Sequence, residues 1–414
     1  MTETKSSSNT LVFICLVLFF DSMGVGLILP VMPDLIDLLS GLPNSEAARI
    51  SGYLLFTFAA MQFVAAPFLG GLSDRYGRRP VLLVALLGFS LDYFVMAAAP
   101  TLAWLYIARL VSGLFGGTYA AANASMVDIT EPENRARNFG MLGASTGLGF
   151  IFGPVLGGLL GEYGARLPFI VSGILIMATC IYGYFTFPET LKPENRRDFE
   201  LARANPFGSL ISIARHREVL VVLAALFLIQ LASQSYGSIW SFFTIEVVGW
   251  SPFGIGLSAA VYGAGLVIVQ GFLTGPVVKR FGEIKAAYFS ISIGIATYLG
   301  LAFAGGATSI YVWVIIGSLS GFVFPAMQAL MTKRIPEDAQ GELQGAIGSA
   351  YSLSAIIGPL AMTFLFGYFT SKSEVYFPGA AFIGASILVA LALFVFAYGT
   401  RRGFSDAEES PDQN

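Results

Sequence analysis

Residues 11–32 read LVFICLVLFFDSMGVGLILPVM, an apolar run long enough to cross a bilayer, with one carboxylate near its middle. A helix needs about 20 mostly apolar residues to span a hydrocarbon core of about 30 Å. An acidic side chain at the centre of such a core costs about 3 kcal/mol on insertion scales. We therefore expect Asp21 to hold a proton, an ion or a cationic partner.

The composition of the 414-residue chain excludes an ordinary soluble domain. Hydrophobic residues make up 55% of it and charged residues 12%, and the mean hydropathy is +0.73, whereas soluble domains carry about 25% charged residues. Cys15 and Cys180 lie in apolar runs and show neither a disulfide pattern nor metal-ligand spacing. The first apolar run is longer than a signal-peptide core and lacks a small-residue cleavage site, so we expect a retained span.

Apolar runs of this length recur along the whole chain. They are rich in Leu, Gly and Ala and contain few charges, which favours helices over barrel strands, where short segments alternate polar and apolar residues. We predict an all-α membrane protein with twelve transmembrane helices, at 10–31, 47–70, 80–99, 101–127, 138–160, 166–187, 219–245, 253–278, 284–304, 308–331, 342–369 and 377–399.

The basic residues between the predicted spans fall mainly on one side. With the first segment placed in the cytoplasm, that side holds 19 of the 23 Lys and Arg residues. The other side holds Arg49, Arg166 and Lys372, and Arg109 lies inside a span. Because cytoplasmic loops carry an excess of Lys and Arg, we predict a multi-pass protein of the cell inner membrane with both termini cytoplasmic.

The two halves of the chain share features at nearly one offset. Gly77 and Gly282, which follow spans two and eight, are 205 residues apart, and so are Pro154 and Pro359 in spans five and eleven. The Pro-Glu pairs after spans four and ten are 204 residues apart. This duplication predicts two pseudo-symmetric six-helix bundles in parallel repeat, a plan in which substrate binds near the membrane midplane between the bundles.

A charged segment joins the two predicted bundles. We place the N-terminal bundle at 1–187, a cytoplasmic linker at 188–218, the C-terminal bundle at 219–400 and a cytoplasmic tail at 401–414. His216 is the single histidine of the chain and lies in the linker. We expect its side chain to be exposed and without a functional role.

Two motifs in the first half resemble those of a known family. GGLSDRYGRR at 70–79 resembles the signature between spans two and three of the major facilitator superfamily. GLGFIFGPVLGG at 147–158 resembles the span-five motif of its drug–proton antiporter branch, and LFFDSMGVGLILPVMPDL and SLDY are similar to the tetracycline–proton antiporters. The resemblance is dense over residues 11–190. It implies the major facilitator fold and the export of a small organic compound in exchange for protons.

The chain departs from this family pattern at three places. Gly71 stands where the first motif usually has Lys, and residues 286–303 contain no acid where the antiporters carry an Asp in span nine. Residues 267–270 lack the span-eight His of some relatives. The first half is therefore where we expect proton coupling.

Three charged residues fall inside predicted spans. At 1.5 Å per residue, Asp21, Asp92 and Arg109 lie about 16–18 Å from the cytoplasmic ends of their spans, close to one level near the midplane. Burial disfavours an ionised carboxylate and a nearby Arg favours it. We predict that Asp21 carries the exchanged proton and that Arg109 pairs with Asp92. The alternative is a static ion pair that only fixes helix packing.

We predict that the motif after span two and the glycines of span five control opening. Gly77 permits a tight turn, so the charges around it can fold onto the helix ends as a latch that stabilises the outward-open state. Glycines at every fourth position of span five permit close helix contact, and its proline permits a bend. The alternatives are a solvated basic loop and ordinary small-residue packing. The predicted gating residues are Gly70, Asp74, Arg75, Gly77, Arg78, Arg79, Asp128, Gly149, Gly153, Pro154 and Gly157.

Polar residues on otherwise apolar spans are candidates for the lining of a substrate cavity. Gln230 and Gln234 share one helix face because they are four residues apart, and the rings of Tyr236 and Trp240 can stack on a flat organic molecule. Hydrogen bonding between helices is the alternative for each amide. The predicted substrate-binding residues are Gln62, Asn123, Gln230, Gln234, Tyr236, Trp240, Gln270 and Gln328.

These features predict a proton-coupled antiporter that exports amphipathic organic compounds by alternating access, with tetracycline as one candidate. A metabolite or sugar efflux carrier on the same fold is the alternative, although the scarcity of fixed charges favours drug-like substrates. A receptor or channel fits the span count alone, but the duplication and the span-five Gly-Pro motif favour a carrier.

The sequence offers no support for an enzyme. It contains no P-loop, no dinucleotide-binding fingerprint and no metal-ligand cluster, so we expect no cofactor and no metal. The expected partners are protons, a small organic substrate and the lipid bilayer. We expect no nucleic acid partner, and we expect a monomer.

Overall fold

The computed structural model of the protein describes residues 2–198, 208, 213–336, 339–371 and 374–403. Parts of the predicted linker (199–207 and 209–212), most of the predicted tail (404–414), Glu337 and Lys372 lie outside these ranges. All of the regular secondary structure in the described ranges is helical.

The described residues of the first half form eight α-helices. Short 3-10 turns lie between the sixth and seventh helices, at Pro132–Asn134, and after the eighth, at Pro193–Asn195. The helices are α1 (Thr2–Ile28), α2 (Met32–Ser40), α3 (Asn44–Tyr76), α4 (Arg78–Ala98), α5 (Leu102–Leu114), α6 (Thr118–Ile129), α7 (Arg135–Gly161) and α8 (Leu167–Thr186).

The described residues of the second half also form eight α-helices. A π-helical turn at Val269–Leu273 and a 3-10 turn at Leu319–Phe322 each join two helices of one span. The helices are α9 (Arg217–Val248), α10 (Pro252–Ile268), α11 (Thr274–Phe281), α12 (Glu283–Ala302), α13 (Ala307–Ser318), α14 (Val323–Thr332), α15 (Gln340–Ser371) and α16 (Ala380–Gly403).

Eleven helical segments of the described chain are long and apolar enough to cross a membrane. The prediction of one continuous helix at 101–127 is wrong, because the segment forms α5 and α6 with a break at residues 115–117. Gly116 and Gly117 lie at this break, and glycine inside a helix costs about 1 kcal/mol relative to alanine. With this broken span counted, the protein is an all-helical, multi-pass membrane protein of the predicted class.

We expected a loop at the motif of residues 70–79, but this motif forms the junction of two helices. Span two was predicted to end at residue 70, yet α3 continues to Tyr76 and α4 begins at Arg78. The backbone N–H of Gly77 still completes the last turn of α3 by donating to the Ser73 carbonyl at 3.1 Å. Gly77 then turns the chain with φ +106°, a conformation that favours glycine.

The contacts between helices divide the chain into two units. Unit 1 contains Met1–Asn205 and Trp250–Ala260, and unit 2 contains Pro206–Gly249 and Val261–Asn414. Within unit 1, α1 packs along α7, α3 along α5, and α4 along α8. Within unit 2, α9 packs along α15 and α16, and α12 along α16. The domain boundaries drawn from the sequence stay predictions.

Candidate functional site

A cavity of about 280 Å³ lies inside unit 1, where α1, α3, α4, α5 and α6 meet. Aliphatic and aromatic side chains form most of its wall, among them Val25, Leu54, Phe58 and Phe89. Small-molecule sites commonly combine such an apolar wall with a few placed polar groups. The polar residues of this wall include Asp21, Ser51, Gln62, Tyr93, Arg109 and Thr118.

Asp21 is half-buried at the cavity wall, on α1. Across the described part of the chain, its carboxylate receives no hydrogen bond and forms no ion pair. Helix α4 approaches α1 about one turn after Asp21. A Cβ atom added to Gly24 of α1 would lie 2.5 Å from the hydroxyl oxygen of Tyr93 on α4. An unpaired carboxylate that borders a cavity inside a membrane span is suited to gain and lose a proton.

Asp92 on α4 and Arg109 on α5 form a buried ion pair. Asp92 is 2% exposed and Arg109 is 9% exposed, and Nη2 of Arg109 donates to Oδ2 of Asp92. The guanidinium also lies over the Phe58 ring, 5.4 Å from its centroid. Oδ1 of Asp92 and Nε of Arg109 are buried without a hydrogen-bond partner among the described residues. The two charges that we expected to pair therefore lie together, and both retain unused hydrogen-bonding capacity.

The break between α5 and α6 borders the same cavity. Gln62 on α3 donates from Nε2 to the Gly116 carbonyl at 2.9 Å, and both residues line the cavity. A buried carbonyl left without a partner would cost about 1–3 kcal/mol, so this bond stabilises the broken span. Thr118, the first residue of α6, is 1% exposed, and its hydroxyl has no partner among the described residues.

On the predicted cytoplasmic side, Arg78 links the α3–α4 junction to the end of α6. Its Nη1 donates to Oδ1 of Asp74 at 2.6 Å, and its Nε donates to Oδ2 of Asp128 at 3.2 Å. Thr190, which follows α8, donates to the same Asp128 oxygen at 3.3 Å. We call Asp74, Arg78 and Asp128 the latch cluster, because these three predicted gating residues are in direct contact.

The other predicted residues of this motif lie around the latch cluster. Arg79 donates from Nη2 to the Tyr184 carbonyl at 2.6 Å and so ties the start of α4 to the end of α8. Arg75 is exposed and lies over the ring of its neighbour Tyr76. Gly70 has open space where a side chain would project.

Glu189, which the sequence analysis did not single out, holds the start of α4. Its Oε1 accepts the backbone N–H of Arg78 at 2.8 Å, and its Oε2 accepts that of Arg79 at 3.3 Å. A Cβ atom on Gly77 would collide with this carboxylate. Because Glu189 lies 111 residues after Arg78, no local spacing pattern connects them. A negative charge at a helix N-terminus is favourable.

The span-five glycines bring α7 against the backbone of α1. A Cβ atom on Gly149, Gly153 or Gly157 would meet a carbonyl oxygen of α1, and the three oxygens are spaced one turn apart. Pro154 lies between Gly153 and Gly157 and also faces α1. A Cβ atom added to Gly26 of α1 would lie 2.6 Å from Cδ of Pro154. The predicted gating glycines are thus the surface along which α1 and α7 touch.

The first turns of α10 belong to unit 1 and lie on the same helix α7. A Cβ atom on Gly256 would collide with the Pro154 carbonyl. At the end of α7, Glu162 accepts the backbone N–H of Phe253 at 3.1 Å. Hydrogen bonds from Ser251 and from this N–H hold the pKa of Glu162 below its ordinary value. The hydrogen bond of Glu162 is a second contact, after that of Glu189, that sequence spacing could not reveal.

The predicted aromatic residues of unit 2 lie in a cluster of rings. Tyr236 on α9 stacks on Tyr262, with 4.8 Å between ring centroids, and lies 5.6 Å from Tyr298. Trp240 is only 3% exposed and lies edge-on to Phe382. Tyr236 is half-buried and is therefore the more accessible of the two predicted stacking residues.

The predicted amides other than Gln62 do not line the unit 1 cavity but make contacts of their own. Two of them, Gln270 and Gln328, bond to a neighbouring helix or turn, which agrees with the packing alternative. Asn123 donates a hydrogen bond to the Tyr119 carbonyl at 2.8 Å, and Gln230 accepts one from the Ser233 hydroxyl at 3.2 Å. The side chain of Gln234 lies against Gly358. Gln270 donates to the Gly321 carbonyl at 3.5 Å, and Gln328 donates to the Gln344 amide oxygen at 3.3 Å.

Known proteins resemble this chain over most of its length. Residues 14–359 match the sequence model of the Major Facilitator Superfamily. The class C tetracycline resistance protein of Escherichia coli is 39% identical over 87% of this chain and 90% of its own, and the class H protein of Pasteurella multocida is 36% identical over 95% and 97%. The solved nucleoside transporter NupG has the same fold, with a TM-score of 0.74 at 12% identity over 95% of this chain and 99% of its own. The chain therefore belongs to the Major Facilitator Superfamily and, within it, to the drug efflux transporters that include the tetracycline resistance proteins.

Proposed function

We propose that this protein exports amphipathic organic compounds, tetracycline among them, in exchange for protons. The observation that carries the proposal is Asp21, a carboxylate without a partner among the described residues, at the wall of a mostly apolar cavity inside membrane spans. An unpaired carboxylate inside a membrane span is suited to gain and lose a proton, and the apolar wall suits a compound with a large hydrophobic part. The names of the relatives at 36–39% identity point to tetracycline as one such compound.

In this mechanism the three intramembrane charges have different tasks. A proton from the outer side binds to Asp21 and removes a charge that costs about 3 kcal/mol at the bilayer centre. Arg109 and Asp92 neutralise each other and hold α4 and α5 together at the same cavity. After the change of access, Asp21 releases its proton to the cytoplasm.

We further propose that access changes through the latch cluster and the α1–α7 contact. The bonds of Arg78 to Asp74 and Asp128 hold the helix ends together on the cytoplasmic side and so stabilise the outward-open state. The glycine surface of α7 lets α1 shift without side chains in the way. The other predicted gating residues, Gly70, Arg75 and Arg79, border this region.

The proposed cellular setting rests on charge distribution and on the relatives. The excess of Lys and Arg on one side supports an inner-membrane protein with both termini in the cytoplasm. We propose that it works as a monomer in the bilayer, without nucleic acid. A sugar would need many hydrogen-bond partners, and a wall of largely apolar residues favours a drug-like substrate over that alternative.

Expression in an efflux-deficient bacterial host, with and without an uncoupler, tests the proposed substrate and energy source. We expect severalfold protection against tetracycline that the uncoupler abolishes. Protection restricted to unrelated lipophilic drugs would contradict tetracycline export. Protection that is insensitive to the uncoupler would contradict proton coupling.

Inverted membrane vesicles test Asp21 itself. We expect Asp21→Asn to reduce tetracycline-driven proton movement at least tenfold, as removal of an essential proton carrier does. The matched control is Asp37→Asn, which removes an exposed carboxylate of α2 and should leave proton movement unchanged. Retained proton movement in Asp21→Asn would remove Asp21 from the mechanism.

A further inference from the structure

Three buried side-chain atoms without a hydrogen-bond partner among the described residues belong to one site, the cavity of unit 1. They are Oγ1 of Thr118, Nε of Arg109 and Oδ1 of Asp92. Thr118 and Arg109 line the cavity, and Asp92 is bonded to Arg109 through its other oxygen. Buried polar atoms are almost always paired in folded proteins, so three unpaired ones at one cavity call for a reason.

The position of Thr118 shows why its hydroxyl is unpaired. A serine or threonine hydroxyl inside a helix commonly donates to the carbonyl of the residue four positions earlier. Ser125, on the same helix α6, donates in this way to the Ala121 carbonyl at 2.8 Å. Thr118 is the first residue of α6, so the residue four positions earlier, Leu114, belongs to α5 on the other side of the break. No such bond forms, and the Thr118 hydroxyl stays free to donate at the cavity.

The start of α6 adds hydrogen-bond donors to this part of the cavity. Gly116, Thr118 and Tyr119, which lie at the break and just after it, all line the cavity. The first N–H groups of a helix have no acceptor within the helix and carry a partial positive charge. We call the start of α6, the Thr118 hydroxyl and Nε of Arg109 the donor end of the cavity.

The charges around the donor end favour an uncharged group as its ligand. Asp92 neutralises the positive charge of Arg109, and Asp21 lies in the same cavity wall. Two carboxylates would repel an anionic group. An ammonium group offers only hydrogen-bond donors, which cannot pair with other donors. A carbonyl oxygen is uncharged and accepts hydrogen bonds, so it fits the donor end.

We propose that the donor end binds carbonyl oxygens of the exported compound and that the Thr118 hydroxyl donates a hydrogen bond to one of them. The inference rests on the proposed function and names the chemical group that the cavity selects. Gln62 supports the arrangement, because its Nε2 holds the Gly116 carbonyl at 2.9 Å and so stabilises the break that leaves the hydroxyl unpaired. The ligand class is a compound with an apolar ring system and keto, enol or carboxamide oxygens along one edge, as in tetracycline.

The kinetics of tetracycline uptake into inverted membrane vesicles test this hydrogen bond. Thr118→Val replaces the hydroxyl by a methyl group and keeps the shape of the side chain. We expect the KM for tetracycline to rise about tenfold, as for the loss of one hydrogen bond in a desolvated site. The maximal rate should stay nearly unchanged, because the bond contributes to binding. A KM equal to that of wild type would overturn the inference.

Two further variants separate the hydroxyl of Thr118 from its shape and from buried hydroxyls in general. Thr118→Ser keeps the hydroxyl and should have a KM near the wild-type value. Ser125→Ala removes a buried hydroxyl of α6 that is already paired within the helix and does not line the cavity, so its KM should be unchanged. If Thr118→Ser raised KM as much as Thr118→Val, the methyl group and not the hydroxyl would matter, and the inference would be wrong.

The unfolding temperature of the purified protein without ligand distinguishes a ligand-binding hydroxyl from a structural one. Exchange of an unpaired buried hydroxyl for a methyl group removes a desolvated polar group, which is neutral or stabilising. We therefore expect Thr118→Val to unfold at the same temperature as wild type or at a higher one. A lower unfolding temperature would show that the hydroxyl has a partner in the ligand-free protein, and it would overturn the inference.

A titration with tetracycline connects binding to the same variants. Tetracycline should raise the unfolding temperature of the wild-type protein, and Thr118→Val should need about tenfold more tetracycline for the same rise. Equal concentration dependence in the two proteins would overturn the inference and leave the proposed function intact. If the wild-type protein showed neither this rise nor any tetracycline uptake, tetracycline export itself would be contradicted.

Discussion

The carboxylate of Glu189 occupies the space into which a side chain on Gly77 would project. Gly77 adopts φ +106°, so the turn itself already favours glycine. The missing side chain also lets Glu189 reach the start of α4, where it accepts the backbone N–H of Arg78 at 2.8 Å. The position of Arg78, and with it the latch cluster, therefore depends on a residue that follows α8.

Removal of the Glu189 carboxylate should weaken both the fold and the export of substrate. Glu189→Ala leaves two backbone N–H groups at the start of α4 without their acceptor, and losing a helix cap costs about 1–2 kcal/mol. We expect a lower unfolding temperature of the purified protein and severalfold slower tetracycline export. Glu194→Ala is the control, because Glu194 is an exposed acid in the same segment. Equal behaviour of the two variants would contradict the role of Glu189.

A methyl group on Gly77 should destabilise the protein more than one on Gly282. Both glycines have positive φ and both join a span to the next, but only Gly77 lies beside a carboxylate. Gly77→Ala should therefore be less stable than Gly282→Ala by about 1–3 kcal/mol, the usual cost of overpacking. Measured unfolding temperatures check this difference. If the collision is the cause, adding Glu189→Ala should not destabilise Gly77→Ala further.

A double-variant cycle separates the functional from the purely structural role of the Asp92–Arg109 pair. Removing one partner of a buried ion pair costs about 3–5 kcal/mol, because the other charge stays buried without compensation. We expect Asp92→Asn and Arg109→Gln to be strongly destabilised, and the double variant to recover much of that stability. Transport should stay low in the double variant if the pair takes part in coupling. Recovery of transport together with stability would support a static pair.

The α7 glycines that touch α1, Gly149, Gly153 and Gly157, allow a prediction that has a control on the same helix. A methyl group on Gly157 would meet the Leu27 backbone, whereas one on Gly143 would enter open space. Gly157→Ala should be destabilised by about 1–3 kcal/mol and should export tetracycline more slowly. Gly143→Ala should match the wild-type protein in both assays. If both variants export at the wild-type rate, α1 does not need to approach α7 so closely.

The elements that the sequence predicted well are those governed by local rules. Span length and the fixed rise of a helix placed Asp92 and Arg109 at one level, and the structure shows them in contact. Family membership confirms the predicted fold class and identifies a transporter rather than an enzyme. The roles of the individual residues stay predictions.

What the sequence could not show depends on distant contacts or on competing local preferences. Apolar length suggested one helix at 101–127, but two adjacent glycines and the Gln62 amide stabilise a break there. The acceptors Glu189 and Glu162 lie about 90 to 110 residues from their donors, so their roles appear only once the helices are assembled.

The contact of Glu162 with the start of α10 predicts a pH dependence of stability. The pKa of Glu162 is lowered by hydrogen bonds from Ser251 and the Phe253 N–H. A carboxyl group with a lowered folded-state pKa stabilises the fold above its unfolded pKa of about 4.3, and this contribution is lost as the pH falls through the folded value. Glu162→Gln should therefore unfold at a lower temperature than wild type at neutral pH.

The difference between Glu162→Gln and wild type should shrink as the pH falls below about 4 and the wild-type carboxylate becomes protonated. Glu131→Gln serves as the control, because Glu131 is an exposed acid at the end of a helix, and its unfolding temperature should follow wild type at every pH. Unfolding temperatures recorded across this pH range show whether the difference between Glu162→Gln and wild type shrinks or widens as the pH falls. A gap between Glu162→Gln and wild type that widens towards acidic pH would show that the ionised carboxylate does not hold α10 on α7.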